Sequence, residues 1–418
     1  MKKDSFVFSI ILIVTCLLST FLFSACKEDS FVHHSGFTPC EFSQDGYHTF
    51  YDEEGDGFKI LFLADPQIDR YYNSHAVLGS TNEDTFKLME YLIEDTKPDL
   101  VALAGDLIAS RGIDNDEDIR AFGDLFERLG VYWAPVFGNH DSETSYVSLG
   151  LQSSKEETLD ILSEFDHCLL REGDVEEEGT LGNYFVNFRD KKGKLINTLC
   201  CMDTVSDFEN STYFHQKTSA QTNWYIENIN RLSDMEYGKN RNKDQVVQSM
   251  LMAHVPFPEC SWAMNEYLLG NSEVQYHYGN MVEEMLPYTD DFFQTLVEIG
   301  STKATFFGHY HSNDFSVTYQ GIRMTMVQHT SLNAYYRSTR EKASLLNTGY
   351  SLYDFTQIDT FGDTRGGTVV EIKPDGQWTI TPYIAKDNLS KYSEIAIDYD
   401  LAEQILNGQG TSVVRGIK

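Results

Sequence analysis

The sequence has few positive charges and no basic block anywhere along its 418 residues. It contains 32 lysines and arginines against 64 aspartates and glutamates, which gives a formal net charge of −32 at pH 7. Because sequence-independent binding of DNA or RNA depends on lysine and arginine neutralising phosphates, this composition disfavours a nucleic-acid-binding protein. An anionic substrate would need local positive charge at its site, which bound divalent cations can supply.

Internal repeats, low-complexity tracts and paired cysteine motifs are also absent. The 7 cysteines include no Cys-x-x-Cys pair, so the sequence predicts no cysteine-based zinc site. The aromatic content of 13% is high and the hydrophobic fraction of 41% is ordinary, which indicates a globular chain and not a disordered one. A chain of this length can bury a large core as one big domain or two medium domains.

The N-terminus has the layout of an export signal. Lys2 and Lys3 precede an apolar run from Phe6 to Phe23, and small residues follow directly before Cys26. This order predicts a signal peptide over residues 1–25. Small residues ahead of a cysteine resemble the lipobox of bacterial lipoproteins, which predicts an exported protein, at the cell surface or in the periplasm, lipid-anchored at Cys26. An uncleaved membrane anchor is the alternative, because the apolar run approaches the length of a membrane span.

The rest of the chain divides into a polar start, a patterned middle and a tail. Residues 26–57 are polar and finish in an acidic run, which indicates a tether. From residue 58, apolar runs alternate with amphipathic segments in the order β-α-β-α-β, which predicts parallel strands with right-handed crossovers. Residues 184–202 are interpreted as a hairpin and residues 259–288 as a long surface loop or lid. Residues 330–386 are expected to complete a second sheet, and residues 387–418 to form a C-terminal tail.

Five predicted strands end in side chains that can bind a metal or move a proton. These strand ends carry Asp65-Pro66-Gln67, Gly105-Asp106, Gly138-Asn139-His140-Asp141, His254 and Gly308-His309-Tyr310-His311. Ligand sites in open α/β sheets lie at the carboxyl ends of strands, so these loops open on one edge if the strands share a sheet. The mixture of carboxylates, amides and imidazoles suits Zn, Fe or Mn better than Ca or Mg. It exceeds the needs of one ion, and two ions about 4 Å apart with a shared carboxylate would use it.

The order of these five blocks resembles the calcineurin-like metallophosphoesterase superfamily, over roughly residues 59–326. The segments around Asn139, His254 and His311 are most similar to its purple-acid-phosphatase-like branch. The resemblance implies an α/β fold over residues 58–386, a four-layer αββα sandwich with two mixed β-sheets. It also implies a metal-dependent hydrolase of small phosphomonoesters or phosphodiesters with a dinuclear centre of two divalent or trivalent transition-metal ions (Mn, Fe or Zn). Such a centre lowers the pKa of a shared water and yields the attacking hydroxide.

The resemblance also assigns roles to individual residues. Seven are implied metal ligands: Asp65, Gln67 and His311 at the first ion, Asp106 as the bridge, and Asn139, His254 and His309 at the second ion. His140 is implied to stabilise the phosphoryl oxygens or protonate the leaving group, and Asp141 to orient His140. Two positions depart from the family pattern. Gln67 replaces the usual histidine, and Ala109 replaces the tyrosine of purple acid phosphatases, so the purple ferric chromophore is not expected.

Each block taken alone also has an ordinary structural interpretation. An aspartate after a buried strand is often a turn residue or helix cap, and a single histidine such as His254 is often a packing residue. Five blocks in the family order favour a joint metal site over this interpretation. His329, which follows the next strand, is interpreted as a packing residue or a residue at the rim of the site. The alternative function is a non-catalytic, surface-anchored metal- or ligand-binding lipoprotein of the same fold, which Gln67 favours and His140 disfavours.

Overall fold

The computed structural model describes residues 35–38, 47–68, 82–109, 115–173, 175, 180–203, 218–271, 275–278, 291–311, 313–332 and 365–394. The predicted signal peptide and the predicted lipidation site at Cys26 lie outside these residues. Within the described part of the chain, no helix is both long enough and apolar enough to cross a membrane.

The described residues form two mixed sheets with helices. The strands are β1 (Ser35–Thr38), β2 (His48–Asp52), β3 (Phe58–Leu63), β4 (Leu100–Leu103), β5 (Tyr132–Pro135), β6 (Tyr184–Arg189), β7 (Leu195–Cys201), β8 (Ser249–Met252), β9 (Gln275–Tyr278), β10 (Thr302–Phe307), β11 (Ser316–Tyr319), β12 (Ile322–Met326), β13 (Gly366–Ile372) and β14 (Trp378–Ile384). The helices are α1 (Asn82–Thr96), α2 (Asp116–Leu129), α3 (Thr144–Val147), α4 (Lys155–Leu162), α5 (Ser219–Tyr237), α6 (Glu259–Leu268), α7 (Phe292–Ile299) and α8 (Ala385–Asn388), followed by a 3₁₀ turn (Ser390–Glu394).

The smaller sheet has the strand order β14-β13-β3-β4-β5, and its strands β3, β4 and β5 run parallel. The connecting helices α1 and α2 follow the predicted β-α-β-α-β order. The amphipathic face of α2 packs on β5, where the ring of Phe126 stacks on Trp133 with 4.5 Å between centroids. Full burial of one such side chain stabilises the fold by about 1.5–3 kcal/mol. The antiparallel strands β13 and β14 complete this sheet on the free side of β3.

The larger sheet has the order β1-β2-β6-β7-β8-β10-β12-β11-β9. The predicted hairpin is confirmed, because β6 and β7 pair antiparallel. The next strands, β7, β8, β10 and β12, are parallel neighbours. Alternate side chains of a strand point to opposite faces. On β10, Phe307 accordingly belongs to the core shared with α5, α6 and α7, whereas Phe306 stacks on Phe62 of the smaller sheet at 3.9 Å. The two sheets therefore face each other between helical layers, as the resemblance implied.

Three boundaries differ from the sequence interpretation. The predicted tether carries β1 and β2, which join the edge of the larger sheet. The polar residues of β2 concealed this strand, yet Phe50 is fully buried and stacks on Phe188 at 5.7 Å. Residues 259–268 of the predicted loop form α6, with its buried face at Cys260, Ala263 and Met264. Helical structure also continues past residue 386 to Glu394, within the predicted tail.

The five predicted site strands do not share one sheet. Strands β3, β4 and β5 belong to the smaller sheet, and β8 and β10 belong to the larger one. Their carboxyl ends meet where the two sheets face each other, because Gly308 donates to the carbonyl of His254 and His254 contacts the carbonyl of Ala104. The site is therefore built across the two sheets instead of along one edge.

Candidate metal centre

The structure brings all seven predicted ligands into one cluster at these strand ends. Asp65, Gln67, Asp106, Asn139 and His254 are buried, and His309 and His311 are partly exposed. One ligand atom from each of Asp65, Asp106 and His254 lies within 4.8 Å of the others.

The carboxylate of Asp106 lies at the middle of the cluster. Its Oδ2 is 3.1 Å from Nε2 of Gln67 and 3.2 Å from Nε2 of His254. Its Oδ1 accepts a hydrogen bond of 2.8 Å from the backbone N–H of His140. One carboxylate oxygen therefore faces donors from both halves of the cluster, which is the position that a bridging ligand requires.

Asp65, Gln67 and His311 form one half of the cluster, called here the first-ion side. Nε2 of His311 is 3.2 Å from Oδ1 of Asp65 and 3.3 Å from Nε2 of Gln67. Asp65 also accepts from the backbone N–H of His309 at 3.1 Å, which ties the end of β3 to the end of β10. These contacts hold the first-ion side against both sheets.

Asn139, His254 and His309 form the other half, the second-ion side. Oδ1 of Asn139 is 2.7 Å from Nδ1 of His309 and 3.1 Å from Nε2 of His254. Nδ1 of His254 lies 2.7 Å from the carbonyl oxygen of Ala104, and only a protonated Nδ1 can donate there. This hydrogen bond directs Nε2 of His254 into the cluster, as backbone carbonyls commonly do for metal-binding imidazoles.

The backbone around the cluster is strained. Asp65, Gln67, Asp106 and His309 have φ angles of 51°, 45°, 51° and 73°, a left-handed conformation that costs of order 1–3 kcal/mol for a residue with a side chain. Gly138 passes so close that a Cβ would overlap the carboxylate of Asp106. Strain of this kind persists when the surrounding fold enforces it, and it is concentrated at functional sites.

The charges in the cluster require positive compensation. Burial raises the pKa of Asp65 to about 7. The charge of His254 lowers this pKa, whereas the negative charge of Asp106 raises it further. Burial would also raise the pKa of Asp106, but the charges of His254 and His140 hold it well below its usual range. Burial would lower the pKa of His254, whereas Asp106 and Asp65 raise it to about 9. A proton on His254 thus supplies positive charge at the point where a cation would also be stabilised.

The donor set fits transition-metal ions. Two ligand atoms that each lie about 2.1 Å from one ion, with a right angle at the ion, are about 3.0 Å apart. The ligand atoms on the first-ion side and on the second-ion side are separated by similar distances. Oε1 of Gln67 is buried and has no hydrogen-bond partner in the described part of the chain, so an oxygen donor is available on the first-ion side. Burial lowers the pKa of His311 to about 3 and that of His309 well below its usual value, which keeps both imidazoles neutral, the form that binds metals.

His140 is oriented by a residue that the sequence interpretation missed. Nδ1 of His140 lies 2.5 Å from Oε1 of Glu143, and Gln152 contacts the backbone of both residues. The predicted role of Asp141 is therefore corrected: its carboxylate accepts from the backbone N–H groups of Gly138 and Ile108 at 2.7 and 3.1 Å. Asp141 shapes the loop, and Glu143 orients the imidazole. The available signal was an acidic residue three positions after His140.

Comparisons with known proteins find a matching family model, a similar sequence and similar solved structures. The family model of the calcineurin-like phosphoesterases matches residues 58–313, a range that contains every predicted ligand. A protein of Arabidopsis thaliana named "Probable inactive purple acid phosphatase 28" is 27% identical over 285 residues, which are 63% of this chain and 68% of that protein. A dimetal phosphatase structure from Danio rerio has a TM-score of 0.44 and 11% identity, covering 78% of this chain and 96% of the other. A purple acid phosphatase from yellow lupin (Lupinus luteus) seeds has a TM-score of 0.44 and 12% identity, covering 82% and 54% respectively.

Proposed function

The chain belongs to the calcineurin-like phosphoesterase family, and on this premise we propose that it is a phosphoric-ester hydrolase with a dinuclear metal centre. The observation that carries the proposal is the position of Asp106 between the two groups of donors. Its Oδ2 lies 3.1 Å from Gln67 on the first-ion side and 3.2 Å from His254 on the second-ion side.

In this proposal the residues divide between the two ions as the family resemblance implies. Asp65, Gln67 and His311 would hold the first ion, Asn139, His254 and His309 would hold the second, and Asp106 would serve both. When bound, the two ions would supply an activated water and positive charge for the phosphoryl group. Mn, Fe or Zn suits this mixture of oxygen and nitrogen donors.

His140 would provide the proton chemistry. The carboxylate of Glu143 would accept a hydrogen bond from Nδ1–H of His140, which would leave Nε2 as the atom that faces a substrate. Burial opposes protonation of His140, but the negative charge of Asp106 and then the hydrogen bond and charge of Glu143 raise its pKa. Nε2 can then donate to an ester oxygen, and general-acid help of this kind contributes about 10²–10⁴-fold in rate.

The substrate in this proposal is a small phosphomonoester or phosphodiester. The net charge of −32 supports a small substrate over a nucleic acid, since the chain would repel a long polyanion. Export and lipid anchoring at Cys26 are part of the same proposal and rest on the N-terminal sequence alone. The enzyme would then act at the cell surface or in the periplasm.

A non-catalytic protein of the same fold is the second candidate. Gln67 and Ala109 depart from the pattern of active purple acid phosphatases, and the similar Arabidopsis protein carries the word inactive in its name. Such a protein would bind metal or a phosphorylated ligand at the cell surface without turnover. The retained pair of His140 and Glu143 favours the hydrolase, because proton transfer is not needed for binding.

Hydrolysis of p-nitrophenyl phosphate and bis-p-nitrophenyl phosphate separates the two candidates. The protein is loaded with Mn, Zn or Fe, its metal content is measured, and Asp106→Asn is the matched control because it keeps the side-chain size. We expect the loaded wild-type protein to cleave at least one ester and the variant to lose activity. Bound metal without cleavage of either ester would favour the binding protein, and the relative rates assign monoesterase or diesterase activity.

A further inference from the structure

His329 lies where the chain crosses from one sheet to the other beside the cluster. Just after β12, the backbone N–H of Val327 donates to Phe307 of the larger sheet at 2.9 Å. Three residues later, the N–H of Thr330 donates to Ala64 of the smaller sheet at 2.9 Å, and His329 pairs with Ala64 in a parallel bridge. Because Asp65 follows Ala64 directly, His329 is held beside the first-ion side.

The imidazole of His329 is buried, and the described part of the chain offers it no hydrogen-bond partner. The residue is 4% exposed, and neither ring nitrogen has a hydrogen-bond partner among the described residues. An imidazole always carries at least one N–H, and burying it unpaired costs stability. A site that tolerates this cost beside a metal cluster is arranged for a partner that binds from outside.

The orientation of the ring excludes it as a ligand of the first ion. The rings of His329 and His311 have centroids 4.3 Å apart and planes inclined by 19°. At this distance two imidazoles cannot lie side by side in one plane, so the rings overlap face to face. The lone pair of an imidazole lies in its ring plane, so an ion in the plane of His311 lies outside the plane of His329. The ring plane therefore leaves an atom of a bound molecule, and not the first ion, as the partner to test.

The surroundings of His329 favour an anion. Arg365 is 2% exposed, and the next residue, Gly366, donates its N–H to the carbonyl of His329 at 3.3 Å. Oγ1 of Thr330 also donates to the carbonyl of Gly366 at 3.0 Å, so the residue after Arg365 is held against the segment that carries His329. A buried arginine in a chain with a net charge of −32 makes this side locally suited to a phosphate.

We propose that His329 donates a hydrogen bond to a phosphoryl oxygen of the substrate on the first-ion side, with Arg365 supplying positive charge behind it. This inference rests on the proposed function. His329 lies on the side of β3 opposite β4, and His140 follows β5, so three strand spacings, or about 14 Å, separate their positions in the smaller sheet. The two imidazoles would thus contact the phosphoryl group from opposite sides.

Binding of inorganic phosphate to the manganese-loaded full chain tests the proposal. His329→Leu removes the donor at similar volume, and His329→Gln restores a donor. His48→Leu is the matched control, because His48 is also a buried histidine but lies on β2, four strands from β10. We expect His329→Leu to weaken phosphate binding by roughly 10- to 100-fold in calorimetry. His329→Gln should recover most of the affinity, and His48→Leu should match the wild type, with equal manganese content in all four proteins.

Other results overturn the proposal. A lower manganese content in His329→Leu would make His329 a metal ligand, and an unchanged phosphate affinity would mean that the ring meets only water. Absence of phosphate binding by the loaded wild type would also overturn it. If His329→Leu does not fold, a wild-type structure with manganese and phosphate decides by whether a ring nitrogen of His329 lies within hydrogen-bond distance of a phosphate oxygen. If phosphate binding depends on His329 but no ester is cleaved, the hydrolase proposal fails and the phosphate contact stands.

Discussion

Replacing Glu143 should impair catalysis without removing the metals. Its Oε1 is 2.5 Å from Nδ1 of His140, and the Glu143 side chain is 13% exposed, so solvent screens the interaction only partly. A hydrogen bond to a charged group contributes about 1.5–3 kcal/mol, and a tenfold change corresponds to about 1.4 kcal/mol. If the bond is needed fully in the transition state, Glu143→Ala should lower kcat/KM by roughly 10- to 100-fold. Glu143→Gln, whose amide oxygen still accepts from Nδ1, should retain more activity.

The leaving group distinguishes loss of the proton donor from loss of structure. Phenyl phosphate has a poorer leaving group than p-nitrophenyl phosphate and depends more on protonation. Glu143→Ala should therefore lower kcat/KM more for phenyl phosphate, with metal content unchanged by elemental analysis. Glu164→Gln is the control, since Glu164 pairs with Arg120 at the surface. Equal losses for the two esters, or a loss below about twofold, would refute the role of Glu143.

Three further predictions concern individual side chains. Asp141→Asn should lower the free energy of unfolding by about 1–3 kcal/mol in urea titration, because Gly138 and Ile108 donate to different carboxylate oxygens and the amide keeps only one of them; an unchanged value would contradict this role. Gln67→His restores the family imidazole and should tighten manganese binding on the first-ion side in calorimetry, whereas unchanged binding would mean that the side chain at position 67 does not hold the ion. Burial lowers the pKa of His48 to about 3, so between that value and about 6.5 the unfolded chain binds a proton that the folded chain does not. The free energy of unfolding should therefore decrease as the pH is lowered through this window, by up to about 1.4 kcal/mol per pH unit. Urea titrations at pH 7 and pH 5 should show a smaller difference for His48→Leu than for the wild type, and equal differences would contradict the assignment.

The regular elements near the site were predictable from local patterns. The bounds of β3, β4 and β5 follow from their apolar runs, and those of α2 follow from its helical period. Each of these elements buries residues that form a recognisable pattern in its own sequence. The strand β2 was missed because its burial depends on pairing with β6, about 140 residues further along the chain. No local pattern reveals such a distant partner.

The composition of the site was predictable, but its internal geometry was not. The blocks ending in Asp106 and His311 indicated the ligands by type and order. Which acidic residue orients His140 depends on the path of the loop after β5, and that path directs Asp141 towards Gly138 and Glu143 towards the imidazole. The partition of the strands between two sheets also depends on long-range pairing, so the sequence did not indicate it.

The central claim is that two cations share the carboxylate of Asp106, and the metal content of the purified chain tests it most directly. The protein is saturated with manganese, separated from free metal by gel filtration and measured by elemental analysis beside Asp106→Asn. The account predicts two manganese ions per wild-type chain and a loss from both sides in the variant. One ion or none per wild-type chain, or two ions retained by Asp106→Asn, would contradict it.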